Sequence, residues 1–224
     1  MKLRKPKFNE ILAIFTTILL IIGTIIFTPP WYDIVPLFVS IVVMFLSSNV
    51  NRYTFLLGGL NSILYTVAFL YMTLYSQAAQ ALLVSFPFQI ASFIAWSKNT
   101  NNGQTAIKRF STKGRILLFA TMVSAWAILY IIFSLLNSSY LVLDNTVTVI
   151  ATASTVLALL RYSEYAILSL ISSVINLVLF VQVTIDTPDK CIWLVYSAYS
   201  AICVLIAFIK MNKRSSENLE NKKE

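Results

Sequence analysis

Apolar runs long enough to cross a bilayer recur along the chain, broken by short polar segments. They predict membrane-spanning helices over residues 11–27, 33–50, 55–75, 77–97, 115–136, 144–161, 164–183 and 191–210. About 20 apolar residues suffice for a helix to cross a hydrocarbon core of roughly 30 Å. The basic stretch 1–9 ahead of the first run resembles a secretion signal. However, Thr28-Pro29-Pro30-Trp31 stands where a small-residue cleavage site belongs, so the run is expected to stay as a span. The longest polar break, SKNTNNGQTAIKRFSTKG, is rich in Asn and Gly and reads as non-helical at least in part. The segment after residue 210 is polar and expected to be a mobile tail.

Two runs carry an amide deep inside: Asn61 within 58–75 and Gln89 within 77–97. A polar group at membrane depth either ties helices together or lines a path for something polar. The second reading makes this chain a carrier of a small, neutral, ring-bearing solute.

Composition agrees with a polytopic membrane protein. Hydrophobic residues make up 58%, charged residues 12%, and the mean hydropathy is +0.79. Soluble domains are about a quarter charged. The net charge of +8 does not point to nucleic acid, because Lys and Arg sit in the breaks between apolar runs and at the ends. With a cytoplasmic N-terminus, Lys190 alone of the 17 Lys and Arg falls outside. Asp33, Asp144, Asp186 and Asp189 fall at the outer edge, so the positive-inside rule supports eight spans with both termini inside. Histidine is absent, which removes the commonest general base and metal ligand; no cofactor, metal or catalytic residue is expected. Cys191 and Cys203 lie too far apart on one helix for a disulfide.

The chain also repeats itself weakly. One span begins near Asp33 and ends near Arg52-Tyr53; another begins near Asp144 and ends near Arg161-Tyr162. This divides the chain into a basic N-terminus with an extra helix (1–31), a three-helix bundle (32–97), a loop and linker helix (98–143), a second, parallel three-helix bundle (144–210) and a tail (211–224). The expected class is an all-α integral membrane protein.

The stretch GGLNSILYTVAFLYMTLY, followed by Gln89-x-x-x-Phe93-x-x-Trp96, resembles the Pnu-type vitamin transporters, whose best-known members move nicotinamide riboside. Asp144 with Thr146 and Thr148, opening a span that ends in Arg161-Tyr162-Ser163-Glu164, agrees as well. In the family the first motif carries Trp where this chain has Phe93. A later Trp-x-x-Trp is replaced here by Ala166 and Ser169, with Ser173 further along. The resemblance implies two three-helix bundles with a linking helix, related to sugar transporters of the SWEET type. It also implies a homotrimer in a bacterial plasma membrane, and facilitated diffusion with trapping of the solute by a cytoplasmic kinase.

A neutral solute with hydroxyls and a flat ring needs amides or hydroxyls for its edges and aromatic faces for its plane. Gln89, Asn61, Asn176 and Ser173 are the hydrogen-bonding candidates. Phe93, Trp96, Tyr65, Tyr196 and Tyr199 are the candidate walls and gates. Gln89, Phe93 and Trp96 share one helix face by spacing, and Glu164 is spaced to pair with Arg161. The alternatives are a SWEET-like sugar uniporter and a non-transporting membrane scaffold whose amides serve as glue. An intramembrane enzyme has no supporting constellation within the spans.

Overall fold

The computed structural model describes residues 8–98, 100–101, 104–105 and 110–220. The basic residues at 2–7, 108–109 and 222–223, used in the topology argument, lie outside them. Among the described residues, eight helices are long and apolar enough to span a bilayer: α1 (Phe8–Phe27), α2 (Trp31–Ser48), α3 (Tyr53–Tyr71), α4 (Tyr75–Lys98), α5 (Thr112–Leu135), α6 (Leu141–Leu159), α7 (Glu164–Asp186) and α8 (Cys191–Glu220). Hydrocarbon offers the backbone no partner, so each segment must satisfy its N–H and C=O groups internally.

Two features add detail to the sequence expectation. The loop after α4 holds a short antiparallel ladder, Thr100–Asn101 with Gln104–Thr105. The polar stretch after residue 210 continues α8 to Glu220, since Lys, Arg and Glu propagate a helix already nucleated.

The links within the membrane unit are short. Val50 and Arg161 both take positive φ, 52° and 63°, at the ends of α2 and α6. Each is followed by the same backbone closure: Asn51 N–H to Leu46 O, and Tyr162 N–H to Leu157 O. Arg161 is therefore a turn residue, and Glu164 pairs instead with Arg115 on α5, at 3.0 Å.

α4 contains a π turn at Ala81–Ser85, where the Phe86 N–H reaches back to Ala81 O. It directly precedes Pro87, which lacks the N–H for the next bond, so the helix absorbs the proline by widening one turn earlier.

Six helices form a ring. α2 packs on α3, α3 on α4, α4 on α6, α6 on α7, α7 on α8, and α8 back on α2. α5 packs mainly on α6, and α1 lies across α8 and α2. Only 11% of α1 and 6% of α5 is buried, so both stand at the lipid-facing periphery. One end of the ring bears Asp33, Asp186, Asp189 and Lys190 and is called the acidic end. The other, the basic end, bears Arg52, Lys98, Arg115, Arg161 and Lys210.

Candidate functional site

The ring encloses a cavity of about 320 Å³ to which all six helices contribute. Among the described residues its lining contains no Lys, Arg, Asp or Glu. That volume lies at the lower end of the range for small-molecule sites.

On α3 the lining residues Gly58, Asn61, Ser62, Tyr65 and Phe69 follow helical spacing and form one face. Asn61 is 2% exposed. Its Nδ2 donates to Pro36 O at 3.1 Å and to Ser40 Oγ at 2.6 Å, and Ser40 Oγ is also 2.6 Å from the Tyr65 hydroxyl. These bonds fix the amide orientation and leave Asn61 Oδ1 buried with no partner among the described residues. Asn176 on α7 is similar: Nδ2 donates to Ser197 Oγ at 3.3 Å and Oδ1 has no partner among the described residues. Two fixed acceptors thus belong to opposite walls of one cavity.

Gln89 on α4 lies over Gly58. A Cβ on residue 58 would stand 2.3 Å from Gln89 Oε1, so only glycine leaves room for this amide. The neighbouring Gly59 brings α3 against Ile90 and the Phe86 carbonyl.

Gln89, Asn61, Asn176, Tyr65, Ser173 and Tyr196 all line the cavity. Phe93, Trp96 and Tyr199 do not. The Phe93 ring packs on Tyr53, with centroids 5.5 Å apart. Trp96 lies toward the basic end, where its Nε1 donates to Ala158 O at 2.8 Å. Tyr199 donates to Ile41 O at 3.2 Å between α8 and α2.

Sequence reasoning left out a hydroxyl-rich wall of Ser154, Thr155, Ser169, Ser172 and Ser200, together with Gln77 and Gln80. The available signal was the spacing of Ser169, Ser172, Ser173 and Asn176, a polar stripe at i, i+3, i+4 and i+7 on an otherwise apolar helix.

Aromatic clusters stand toward both ends of the ring. Toward the acidic end, Trp193 stacks on Phe180 at 5.3 Å and meets Phe69 and Tyr65 at 5.7 and 5.6 Å. Toward the basic end, Trp96 meets Phe55 at 5.0 Å and Tyr165 edge-on at 5.9 Å, beside Phe208 and Met211. Between them the cavity wall is uncharged, with amides and hydroxyls set among apolar side chains.

The family model described as nicotinamide mononucleotide transporter matches residues 30–212. The fold is similar to a crystal structure of the vitamin B3 transporter PnuC, with a TM-score of 0.65 and 20% identity over 90% of this chain and 93% of that one. No curated protein sequence matches the chain.

Proposed function

Because this chain belongs to the nicotinamide mononucleotide transporter family, we propose that it moves a phosphate-free, ring-bearing solute, a vitamin precursor or nucleoside of the nicotinamide riboside type. The family is one of membrane transporters rather than enzymes, and eight apolar helices fit a multi-pass protein.

The observation that carries the substrate reading is the uncharged cavity wall. A phosphate monoester brings nearly two negative charges, and burying them without a cation costs several kcal/mol. A nucleoside has no such group. Asn61 Oδ1 and Asn176 Oδ1 accept from its N–H or O–H groups, Gln89 both donates and accepts, and Tyr65 and Tyr196 flank the ring. The similarity to a vitamin B3 transporter supports the nicotinamide member of this class.

With no Lys, Arg, Asp or Glu in the wall among the described residues, the solute moves down its own gradient, and a cytoplasmic kinase traps it by adding the phosphate the cavity rejects. The basic end faces the cytoplasm of a bacterial cell. The exposed faces of α1 and α5 are available to lipid or to the other subunits of a homotrimer.

The wall of Ser154, Ser169, Ser172, Ser173 and Ser200 favours a second reading, a hexose uniporter, because vicinal hydroxyls find donors and acceptors there. A thermal-shift panel of nicotinamide riboside, thiamine, riboflavin, ribonucleosides, deoxyribonucleosides and two hexoses tests both. One ligand that stabilises the wild type but not Asn61→Ala or Gln89→Ala identifies the solute. Stabilisation by a hexose alone selects the second reading. Silence across the panel, with intact folding of both variants, turns the reading toward a scaffold.

A further inference from the structure

The ring has two seams that no short turn closes, α4–α6 and α2–α8, and each is tied at the acidic end by a fully buried aspartate. The two ties differ in kind. In the α4–α6 seam, Asp144 accepts from the backbone N–H groups of Ser76 and Gln77 at 3.1 and 3.2 Å and from Ser138 Oγ at 2.9 Å. Around it, the Ser139 N–H bonds Thr73 O at 3.0 Å, the Tyr75 N–H bonds Ser138 Oγ at 3.2 Å, and the Thr73 and Ser139 hydroxyls meet. Backbone groups dominate this tie, and they cannot swing away as side chains do.

In the α2–α8 seam Asp33 is held by two side chains: Lys190 Nζ and, at 3.1 Å, Trp193 Nε1. Lys190 is the cation that broke the charge segregation along the sequence. Asp189 lies 4.0 Å from it and is 44% exposed, so the ammonium has a second partner when it leaves the first. Trp193 belongs both to this contact and to the aromatic cluster toward the acidic end, so releasing its N–H frees the cluster to move. No connection joins α8 back to α2. α1, lying across both helices, covers this seam on the lipid side.

We propose that the acidic end opens at the α2–α8 seam, with the Asp33–Lys190–Trp193 contact as its latch and the α4–α6 seam as its hinge. This rests on the transport reading above, and the test separates the two.

Cys203 lies in the α2–α8 core, 1% exposed and one helical turn from Tyr199, whose hydroxyl crosses the seam. In a Cys191→Ser protein it is the one remaining thiol. Its labelling by a water-soluble maleimide is measured in detergent for Lys190→Met, for Asp33→Asn combined with Lys190→Met, and for Ser138→Ala. The double variant leaves no unpaired buried charge and guards against simple misfolding. Labelling several-fold faster in the first two and unchanged in the third is expected. Equal rates throughout, or acceleration by Ser138→Ala alone, overturns the latch.

In cysteine-free protein, a disulfide between Thr73→Cys and Ser139→Cys is expected to leave uptake intact. A reversible bis-thiosulfonate bridge between Asp33→Cys and Lys190→Cys is expected to stop uptake until reduced. Any other combination overturns the assignment of hinge and latch. If the wild type takes up no solute of the panel, the transport reading fails by itself, while the labelling rates still report which seam parts.

Discussion

The amide oxygen of Gln89 lies 2.3 Å from the point where a side chain on residue 58 would begin. Gly58 on one helix therefore sets the position of a polar group on the next. Gly58→Ala pushes aside the far end of a flexible side chain, so the fold survives while the amide is displaced. Half-saturation for the solute is expected to rise about tenfold, equivalent to about 1.4 kcal/mol, with maximal uptake nearly unchanged. Adding Gln89→Ala to Gly58→Ala is expected to cost little more, and a double-mutant cycle of binding constants checks this non-additivity.

Asn61 has a double duty that Gln89 lacks, because its NH2 group ties α3 to α2. Asn61→Ala is expected to lower both affinity and thermal stability, the latter by about 0.6 kcal/mol per lost interhelical bond. Gln89→Ala lowers affinity alone. Binding titrations and melting curves on both variants check the contrast.

A nucleoside 5′-monophosphate is expected not to compete with its nucleoside. Burial of the unpaired phosphate at several kcal/mol corresponds to at least about a thousandfold weaker binding. Competition for uptake at neutral pH, with phosphatase activity excluded, is the measurement.

Trp96 donates across the α4–α6 seam and does not line the cavity. Trp96→Phe keeps the ring in the basic-end cluster and deletes the bond. Stability is expected to fall by about 0.5–1.5 kcal/mol with solute affinity unchanged. A loss of affinity with unchanged melting temperature would make Trp96 a direct contact instead.

The eight spans were legible because hydrocarbon imposes a length and a composition on whatever crosses it. Asn61, Gln89 and Asn176 were legible for the same reason: an amide amid apolar residues stands out. Single serines do not stand out, since a helix satisfies them locally, as Ser92 does through Phe88 O and Ser173 through Leu170 O. Only the stripe formed by Ser169, Ser172, Ser173 and Asn176 carried information. Phe93 shows the limit of spacing arguments. At about 100° per residue, Gln89 and Ser92 bracket the inward direction of α4, and Phe93 stands about 70° away from it, toward Tyr53 on α3. The latch was out of reach of the sequence, because Asp33 and Lys190 are brought together only when the ring closes.

An uncharged cavity wall also has an electrical consequence. In the uniport proposed above, the empty cavity wall would bring no charge of its own through the field as the site reorients. A neutral nucleoside then distributes by concentration alone. A pyridinium riboside carries one positive charge, and about 2.3 kcal/mol per 100 mV draws it toward the negative side. For the uniport proposed above, that is roughly a fiftyfold accumulation at 100 mV, supplied by the membrane potential.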